Sequence, residues 1–250
     1  MIRVGLVGHG RAGQAVAQVL QEDPRFSLRW IARRQVPSDP SQASAPVPFV
    51  RLDDVARPGW LAQHPIDGLI DFSSRESLHT YGEALRAHGA ALVSAISAYE
   101  EEDIAYAREL GQHIRVLCSP NITLGINFMM VAAKLLRTIA PEVDVEILEQ
   151  HFRDKPEVSG TARKLAEALA LDEDRITSLR LGGIVGHHEV IFGFRYQTVR
   201  IVHDAIRREA FGTGAAFALQ GLQDKPAGFY RFEDLISERI ARSLGAPTPA

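Results

Sequence analysis

Short apolar runs alternate with segments of helical periodicity through the first half of the chain. Residues 2–7 are β-branched and apolar, as is typical of a strand buried on both faces. The helical pattern that follows passes through Val16, Val19 and Leu20. Repeated β–α units of this kind predict a parallel, doubly wound sheet that binds its ligand at the carboxyl ends of the strands. On the same grounds we predict strands over 26–32, 68–72, 91–97 and 114–118, and helices over 76–88 and 100–110.

The second half of the chain has a different pattern. Apolar spacing predicts a helix over 128–139, and an apolar alternation that opens at Glu146 predicts a strand. We expect an α/β protein with a Rossmann-type dinucleotide-binding domain and a second α+β substrate domain that contains a mixed sheet. The first domain is assigned residues 1–121 plus about 223–250, and the second 122–222. Further predicted elements are strands over 178–183, 184–194 and 197–204, a helix over 215–222, and a surface loop over 35–48.

Composition narrows the class of protein. The chain has 28 basic and 31 acidic residues, 46% of its residues are apolar, and no basic run indicates a nucleic-acid partner. No apolar stretch is long enough to span a membrane, and the opening residues are typical of a strand and a glycine turn rather than a signal peptide. We therefore expect a cytoplasmic protein. Cys118 is the only cysteine, which argues against disulfides and multi-cysteine metal sites, and we interpret it as a buried small hydrophobe.

A glycine motif follows the first predicted strand directly. Gly8, Gly10 and Gly13, with Arg11 and Ala12 between the last two, form GxGxxG between a strand and a helix. In that position the glycines allow a tight turn and a close approach of the backbone to a pyrophosphate. The alternative is a plain glycine-rich β–α turn. We predict that these five residues contact a dinucleotide.

Two arginines stand where the second strand is expected to end. An NAD site usually has an acidic residue there, but this chain has Arg33 and Arg34. A guanidinium offers a planar, multidentate fork that suits a ribose phosphate. We predict that the cofactor is NADPH in preference to NADH, with Arg11 as a weaker third phosphate ligand. The alternative is two solvated surface arginines.

The stretch from Glu146 to Leu169 contains the highest concentration of candidate reactive and ligand-binding residues. It passes through the titratable side chains of residues 151–155, among them His151 and Lys155, and then changes to helical spacing. Ser159, Gly160 and Thr161 look like a helix start, with hydroxyls in the N-cap region. A helix N-terminus attracts anions because its first amides lack intrahelical partners. The alternative is an ordinary strand, loop and capped helix with solvated charges.

This stretch also carries a family resemblance. HxxxK followed by SGTA, from His151 to Ala162, resembles the signature loop of dihydrodipicolinate reductase, the reductase of bacterial lysine and diaminopimelate synthesis. Other segments resemble the family in the same order along nearly the whole chain. They are DFS at 71–73 (DFT in the family), VSAISAY at 93–99, SPNITLGIN at 119–127, GHHE at 186–189 (GEHT), 201–211 (HxAxxRxxF) and GFY at 228–230.

The resemblance implies roles for individual residues. The family transfers a hydride from the nicotinamide to a cyclic imine dicarboxylate and then delivers a proton. The resemblance implies that Lys155 is the general acid and that His151 takes part in proton transfer or substrate polarisation. It also implies that residues 159–161 bind a substrate carboxylate. It also implies a small anionic substrate and a homotetramer built through the second sheet. Phe72, Ser73, Ala95, Ser97, Ser119, Asn121 and Ile122 match positions beside the cofactor, and Ser97 also matches an edge of the substrate site.

Three departures from the family pattern surround the substrate. Phe152 replaces the second histidine of the family's HH pair, the loop between Lys155 and Ser159 is one residue shorter, and Ala95 and Ala98 replace glycines. The leading hypothesis is the lysine-pathway reductase or a paralogue that reduces a different imine. The alternatives are a non-catalytic NADP-binding regulator and an amino-acid or opine dehydrogenase. For His187 and His188 we favour a structural or domain-packing role. A metal site formed by these two and His203 is not predicted, because no carboxylate or cysteine spacing supports one.

Overall fold

The computed structural model describes residues 1–36 and 47–245. Most of the predicted loop over 35–48 thus lies outside the described residues. The chain divides into two compact units, one of residues 1–123 and 208–235, the other of residues 124–207 and the chain from Ile236 on. The predicted boundaries assign 208–222 to the second domain and 236–245 to the first, whereas this division groups 208–222 with the first unit and 236–245 with the second. No helix of the described part is long and apolar enough to cross a membrane.

Eleven strands and nine α-helices make up the described chain. In order they are β1 (Ile2–Val7), α1 (Arg11–Glu22), β2 (Phe26–Arg33), β3 (Phe49–Arg51), α2 (Leu52–Val55), α3 (Trp60–Gln63), β4 (Gly68–Asp71), α4 (Arg75–His88), β5 (Ala91–Ser94), α5 (Glu101–Leu110), β6 (Arg115–Cys118), α6 (Leu124–Ile139), β7 (Asp144–His151), α7 (Gly160–Ala168), β8 (Ile176–Arg180), β9 (His187–Gly193), β10 (Thr198–Asp204), α8 (Glu209–Leu222), β11 (Gly228–Tyr230) and α9 (Phe232–Ser243).

The first unit contains the predicted doubly wound sheet. Its seven strands lie in the order β11-β6-β5-β4-β1-β2-β3, and every neighbouring pair is parallel. The strands are buried and apolar because helices cover the sheet, and side chains such as Leu69, Leu92 and Val116 are fully buried. The Rossmann-type prediction is confirmed. The short elements β3, α2 and α3 were not predicted, since runs of three or four residues carry too little periodicity.

Helix α8 belongs to this unit because small residues let it pack closely. It packs against α1, β4, β5 and β6. A Cβ at Gly212 would lie 2.7 Å from Val19 Cβ, and one at Gly214 would lie 1.7 Å from the carbonyl oxygen of Ile122. The helix begins at Glu209, six residues before the predicted start at Ala215. Glycines usually weaken a helix, so the pattern underestimated its length.

The second unit holds a four-stranded mixed sheet in the order β10-β9-β7-β8, as predicted. β7 pairs antiparallel with β9 and parallel with β8. Its core packs α6 and α7 on one face of this sheet, with Met129, Leu165, Ile147, Val190 and Phe192 among the buried side chains.

Three element boundaries in the second unit differ from the prediction by three residues or more. α6 starts at Leu124 rather than 128. β8 ends at Arg180 rather than 183, and β9 starts at His187 rather than 184. The chain turns between β8 and β9, where Gly182 has φ +47°. Leu181 and Val185 in this turn are exposed, so their apolar character had extended the predicted strands.

Candidate functional site

A cavity of about 440 Å³ lies at the carboxyl ends of β1, β2 and β4 in the first unit. Parallel sheets of this topology bind ligands at that edge. Its lining is Val7, Gly8, His9, Gly10, Ala32, Arg33, Arg34, Gln35, Leu52, Ser73, Ser74 and Ser77. Of the residues predicted to contact the cofactor, Gly8, Gly10, Arg33, Arg34 and Ser73 therefore meet at one cavity.

The turn between β1 and α1 requires glycine at two of its three motif positions. Gly8 has φ +92°, and a Cβ there would lie 2.7 Å from the carbonyl oxygen of Phe72. A Cβ on Gly13 would lie 2.3 Å from the carbonyl oxygen of Gly8, whereas Gly10 faces open space. The open position leaves room for a ligand to approach the first amides of α1. The geometry fits a pyrophosphate at a helix N-terminus.

The two arginines already make contacts within the chain. The Arg33 guanidinium lies 5.2 Å from the Phe49 ring centroid, and the His9 ring packs edge-on to the same ring at 5.0 Å. Arg34 Nη2 lies 2.7 Å from Glu76 Oε2. The Arg34–Glu76 pair is exposed, so the free energy needed to break it is small.

Ser74 and His9 complete the polar surroundings of these arginines. Arg34 also donates a hydrogen bond to the Ser74 hydroxyl. Burial, together with the nearby Arg33 charge, lowers the pKa of His9 and favours its neutral form. Sequence analysis had missed His9, because it occupies a variable position of the glycine motif.

Ser77 is a further residue that the sequence did not reveal. Its side chain is 1% exposed and lines the cavity, and Oγ has no hydrogen-bond partner among the described residues. Buried hydroxyls are normally satisfied, so an unsatisfied hydroxyl in a residue of the cavity wall is unusual. On the inner face of α4 a serine looks like any small core residue, and no sequence signal marked it.

The other predicted cofactor residues follow neighbouring strands or begin α1. The Ala95 amide donates to Asp71 O at 2.9 Å, and the Ser119 amide donates to Ser94 O at 2.9 Å, so the segments after β4, β5 and β6 adjoin at the sheet edge. The segment after β4 reaches the cavity through Ser73 and Ser74, whereas Phe72 and the predicted residues after β5 and β6 are not part of its lining. Phe72 follows β4, Ala95 and Ser97 follow β5, Ser119, Asn121 and Ile122 follow β6, and Arg11, Ala12 and Gly13 lie in the first turn of α1.

Asp71 is fully buried beside this edge. It accepts hydrogen bonds from the Ser73 amide at 2.8 Å, the Ser73 hydroxyl at 2.5 Å and the Tyr81 hydroxyl at 2.6 Å. Burial raises the pKa of Asp71 to about 6, although these hydrogen bonds oppose the shift. Burial also raises the pKa of Cys118 to about 12, so its thiol is not ionised near neutral pH and is a poor nucleophile.

One face of the second sheet changes from apolar to polar along its length. Val145 and Ile147 of β7 point into the core, and the next positions on the same face are Glu149 and His151. The strand register places Glu149 opposite Ser178 of β8 and His188 of β9, and His188 opposite His203 of β10. A polar row therefore crosses all four strands at one end of the core.

Glu149 is the centre of this row. Its carboxylate is fully buried and accepts hydrogen bonds from Arg180 at 2.8 and 3.0 Å, Ser178 Oγ at 2.7 Å and the Ser159 amide at 3.2 Å. Oε2 lies 2.5 Å from His151 Nδ1. Burial alone would raise the pKa of Glu149, but the hydrogen bonds, above all those from Arg180, outweigh it and lower the pKa to about 2. The carboxylate is therefore ionised, and His151 Nδ1 carries the proton between them.

Ser159 makes a different contact from the one predicted. It occupies the N-cap position of α7, but its side chain does not cap the helix. Its hydroxyl pairs instead with His188 Nε2 at 2.8 Å. The His188 ring packs edge-on against His151, with centroids 5.3 Å apart. Burial, and after it the neighbouring histidines 151, 203 and 187, lowers the pKa of His188 to about 3, so its imidazole is neutral near pH 7.

The segment between His151 and α7 carries Lys155. The Lys155 amide donates to Phe152 O at 3.1 Å, which closes a turn. The ammonium group forms no ion pair with the residues the structure describes, and its side chain is half-buried. Phe152 is 45% exposed. Gly160 and Thr161 follow in the first turn of α7, and Gly160 has open space where a Cβ would be. His151, Lys155 and residues 159–161 thus lie along one continuous segment of the second unit.

Of the two other histidines in the second sheet, His203 lies in the row and His187 pairs with Asp204. His187 Nδ1 lies 2.7 Å from Asp204 Oδ1, on the face of the sheet opposite His188. Within the described ranges, no group of three or more histidine, cysteine, aspartate or glutamate side chains could hold a metal ion.

Comparisons with known proteins point to one family. The family model described as "Dihydrodipicolinate reductase, N-terminus" matches residues 2–122, and the model of the C-terminus matches residues 122–236. A 4-hydroxy-tetrahydrodipicolinate reductase of Caldanaerobacter subterraneus subsp. tengcongensis is 29% identical over 261 aligned positions, which cover 95% of this chain and 99% of the relative. The enzyme of that name from Xanthomonas axonopodis pv. citri is 32% identical over 231 positions, which cover 91% of this chain and 94% of that relative.

Solved structures share the fold. A dipicolinate-bound dihydrodipicolinate reductase from Paenisporosarcina sp. TG-14 superposes with a TM-score of 0.77 at 22% identity, covering 92% of this chain and 97% of that one. The C. glutamicum DAP dehydrogenase in complex with DAP superposes with a TM-score of 0.59 at 12% identity, covering 96% of this chain and 98% of that one. At these identities the likeness concerns the fold.

Proposed function

Because the chain belongs to the dihydrodipicolinate reductase family, whose members are nicotinamide-dependent oxidoreductases, we propose that it reduces a cyclic imine or enamine dicarboxylate of the dihydrodipicolinate type in lysine and diaminopimelate biosynthesis. The observation that carries the proposal is the site around Glu149. There an oriented imidazole, a lysine with no ion-pair partner in the described part of the chain, and a helix N-terminus come from one continuous segment. A non-catalytic NADP-binding regulator would not need this combination.

Each part of the site has a chemical task. A bound reduced nicotinamide supplies the hydride. Lys155 donates the proton that completes the reduction, and the amides at the start of α7 bind a substrate carboxylate. Glu149 holds the His151 proton on Nδ1, which leaves Nε2 to hydrogen-bond or polarise the substrate. Gly186 leaves room beside that atom, since a Cβ there would lie 3.3 Å from Nε2.

The cofactor part of the proposal assigns the adenosine and pyrophosphate to the cavity of the first unit. Gly8 and Gly10 border the pyrophosphate, Ser77 contacts the adenosine, and Arg33 and Arg34 bind the 2′-phosphate of NADPH. The phosphate can replace Glu76 as the partner of Arg34, because breaking this solvent-exposed ion pair costs little free energy.

Replacing Arg33 and Arg34 together with alanine should weaken NADPH binding far more than NADH binding. Each charge-assisted hydrogen bond contributes about 1.5–3 kcal/mol, so the loss for NADPH is roughly tenfold or more per arginine. Fluorescence titration of both cofactors against wild type and the double variant measures this. Arg29→Ala on β2 is a control outside the cavity lining. Equal losses for NADPH and NADH would refute the phosphate assignment.

A coupled assay tests the reaction. Dihydrodipicolinate synthase generates the substrate in situ, and NADPH oxidation is followed optically beside an authentic reductase. We expect rapid oxidation that depends on both the synthase and this protein. If NADPH binds tightly but is not oxidised, the lysine-pathway assignment is wrong and the cofactor assignment stands.

A related substrate is the second candidate, and Phe152 is the observation that favours it. In the family's pattern a histidine that binds substrate stands at this position, whereas here an exposed phenyl ring offers no hydrogen bond. A paralogue would accept an imine with an apolar group at that edge. A panel of cyclic imine carboxylates in the same assay separates the two candidates.

The proposal also includes a homotetramer in the cytoplasm. Leu179 and Val202 are exposed on the face of the second sheet opposite the core, and a partner subunit would cover them. Light scattering of the purified protein tests the subunit count.

A further inference from the structure

Arg180 uses every donor of its guanidinium. Nη1 and Nη2 bind the two Glu149 oxygens at 3.0 and 2.8 Å. Nε donates to Lys155 O at 3.0 Å, Nη2 also donates to Glu157 O at 2.7 Å, and Nη1 also donates to Leu179 O at 2.9 Å. An arginine has five N–H donors in a fixed fork, and here all five have acceptors. An ordinary ion pair would use two.

The main-chain contacts fix the loop that carries Lys155. The carbonyls of Lys155 and Glu157 lie on either side of Pro156, so one rigid group holds both ends of this short turn. The start of the loop is held as well, because the Arg153 amide donates to Gly182 O at 3.1 Å. Between residues 153 and 157 the backbone is therefore tied to β8 and the turn that follows it.

The carboxylate side of the pair reaches the other reactive groups. Glu149 accepts from the Ser159 amide at 3.2 Å and lies 2.5 Å from His151 Nδ1. A single carboxylate–guanidinium pair thus connects the imidazole, the lysine loop and the helix start.

We propose that Arg180 is a positioning residue, which holds Lys155 through the main chain and His151 and the start of α7 through Glu149. This inference rests on the proposed function, since it takes these three groups as the working parts of the site. Lysine cannot replace the guanidinium here. It keeps the charge beside Glu149 but cannot make a bidentate pair and three carbonyl bonds from one rigid plane.

A second arginine–glutamate pair, between β7 and the residue that directly precedes β8, provides a matched control. Arg175 Nη1 lies 3.8 Å from Glu146 Oε2, joining the start of β8 to β7, and both side chains are partly exposed. By comparison, the Glu149 side chain is fully buried and that of Arg180 is 21% exposed. Arg175→Lys changes the same residue type next to the same two strands and leaves the Lys155 loop untouched.

The experiment compares Arg180→Lys with Arg175→Lys in full-length protein. In the coupled assay, Arg180→Lys should lower kcat by about a hundredfold with little change in NADPH affinity, because a shift of about 1 Å in a reacting group costs that much. Hydrogen exchange of the peptide covering residues 152–158 should become faster in Arg180→Lys and not in Arg175→Lys. In Arg180→Ala, added guanidinium should restore part of kcat.

The two measurements separate this inference from the proposed function. Wild-type kcat in Arg180→Lys, or a loss of kcat with unchanged exchange over 152–158, would overturn the positioning role. If the wild-type protein does not turn over the substrate, the proposed function fails, and the exchange comparison still decides whether Arg180 holds the loop.

Discussion

Replacing Lys155 with alanine is expected to lower turnover by about a hundredfold or more and to leave NADPH affinity nearly unchanged. The ammonium group has no ion-pair partner within residues 1–36 and 47–245, so its removal breaks no ion pair there. The cofactor cavity is lined by residues of the first unit alone. The loss should therefore appear in kcat rather than in cofactor binding or thermal stability.

Two further variants identify what the lysine contributes. Lys155→Arg keeps a positive charge but cannot deliver a proton near neutral pH, because the guanidinium stays protonated. If Lys155 is the general acid, the arginine variant stays nearly as slow as the alanine variant. Lys164→Ala, which removes a lysine from the neighbouring helix α7, is the matched control and should retain full turnover. Unchanged turnover in Lys155→Ala, or full activity in Lys155→Arg, would exclude the proton-donor role.

The sequence predicted the first unit well because its signals are local. Buried parallel strands are continuous apolar runs, and Gly8 and Gly13 stand where a side chain would collide with the backbone. The two arginines at the end of β2, Arg33 and Arg34, were predicted to bind the cofactor, and both line the cavity. Ser77 was missed because what distinguishes it is a buried hydroxyl without a hydrogen-bond partner among the described residues. Only the three-dimensional packing reveals this feature.

In the second unit the sequence found the reactive groups and missed the residues that orient them. His151, Lys155 and Ser159 lie within nine positions of one another, so a single motif reveals them. Glu149 is brought to Arg180 by strand pairing between β7 and β8, across thirty-one positions. One signal was available: Glu149 falls on the buried side of the alternation that begins with Val145 and Ile147. A charged residue at an inward position predicts a buried partner, although periodicity cannot say which arginine provides it.

Replacing Glu149 with alanine should destabilise the second unit by about 3–5 kcal/mol at pH 7, because it leaves a largely buried guanidinium without its counter-charge. Ser178 Oγ and the Ser159 amide lose their acceptor as well. Glu149→Gln keeps one acceptor oxygen and should lie between the wild type and the alanine variant. Urea unfolding followed by circular dichroism measures the three free energies of unfolding. The matched control is Glu146→Ala, which removes the exposed partner of Arg175 and should cost less than about 1 kcal/mol.

The pH dependence of this difference identifies its origin. Folding lowers the pKa of Glu149 from its ordinary value of 4.5 to about 2, so the ionised carboxylate stabilises the native state fully above pH 4.5. That stabilisation is lost as the pH falls from 4.5 towards 2. The free-energy gap between wild type and Glu149→Ala should therefore be constant from pH 7 to about pH 5 and then narrow as acid is added. A gap that stays constant through this range would mean that lost packing, rather than the Glu149–Arg180 charge pair, accounts for the destabilisation.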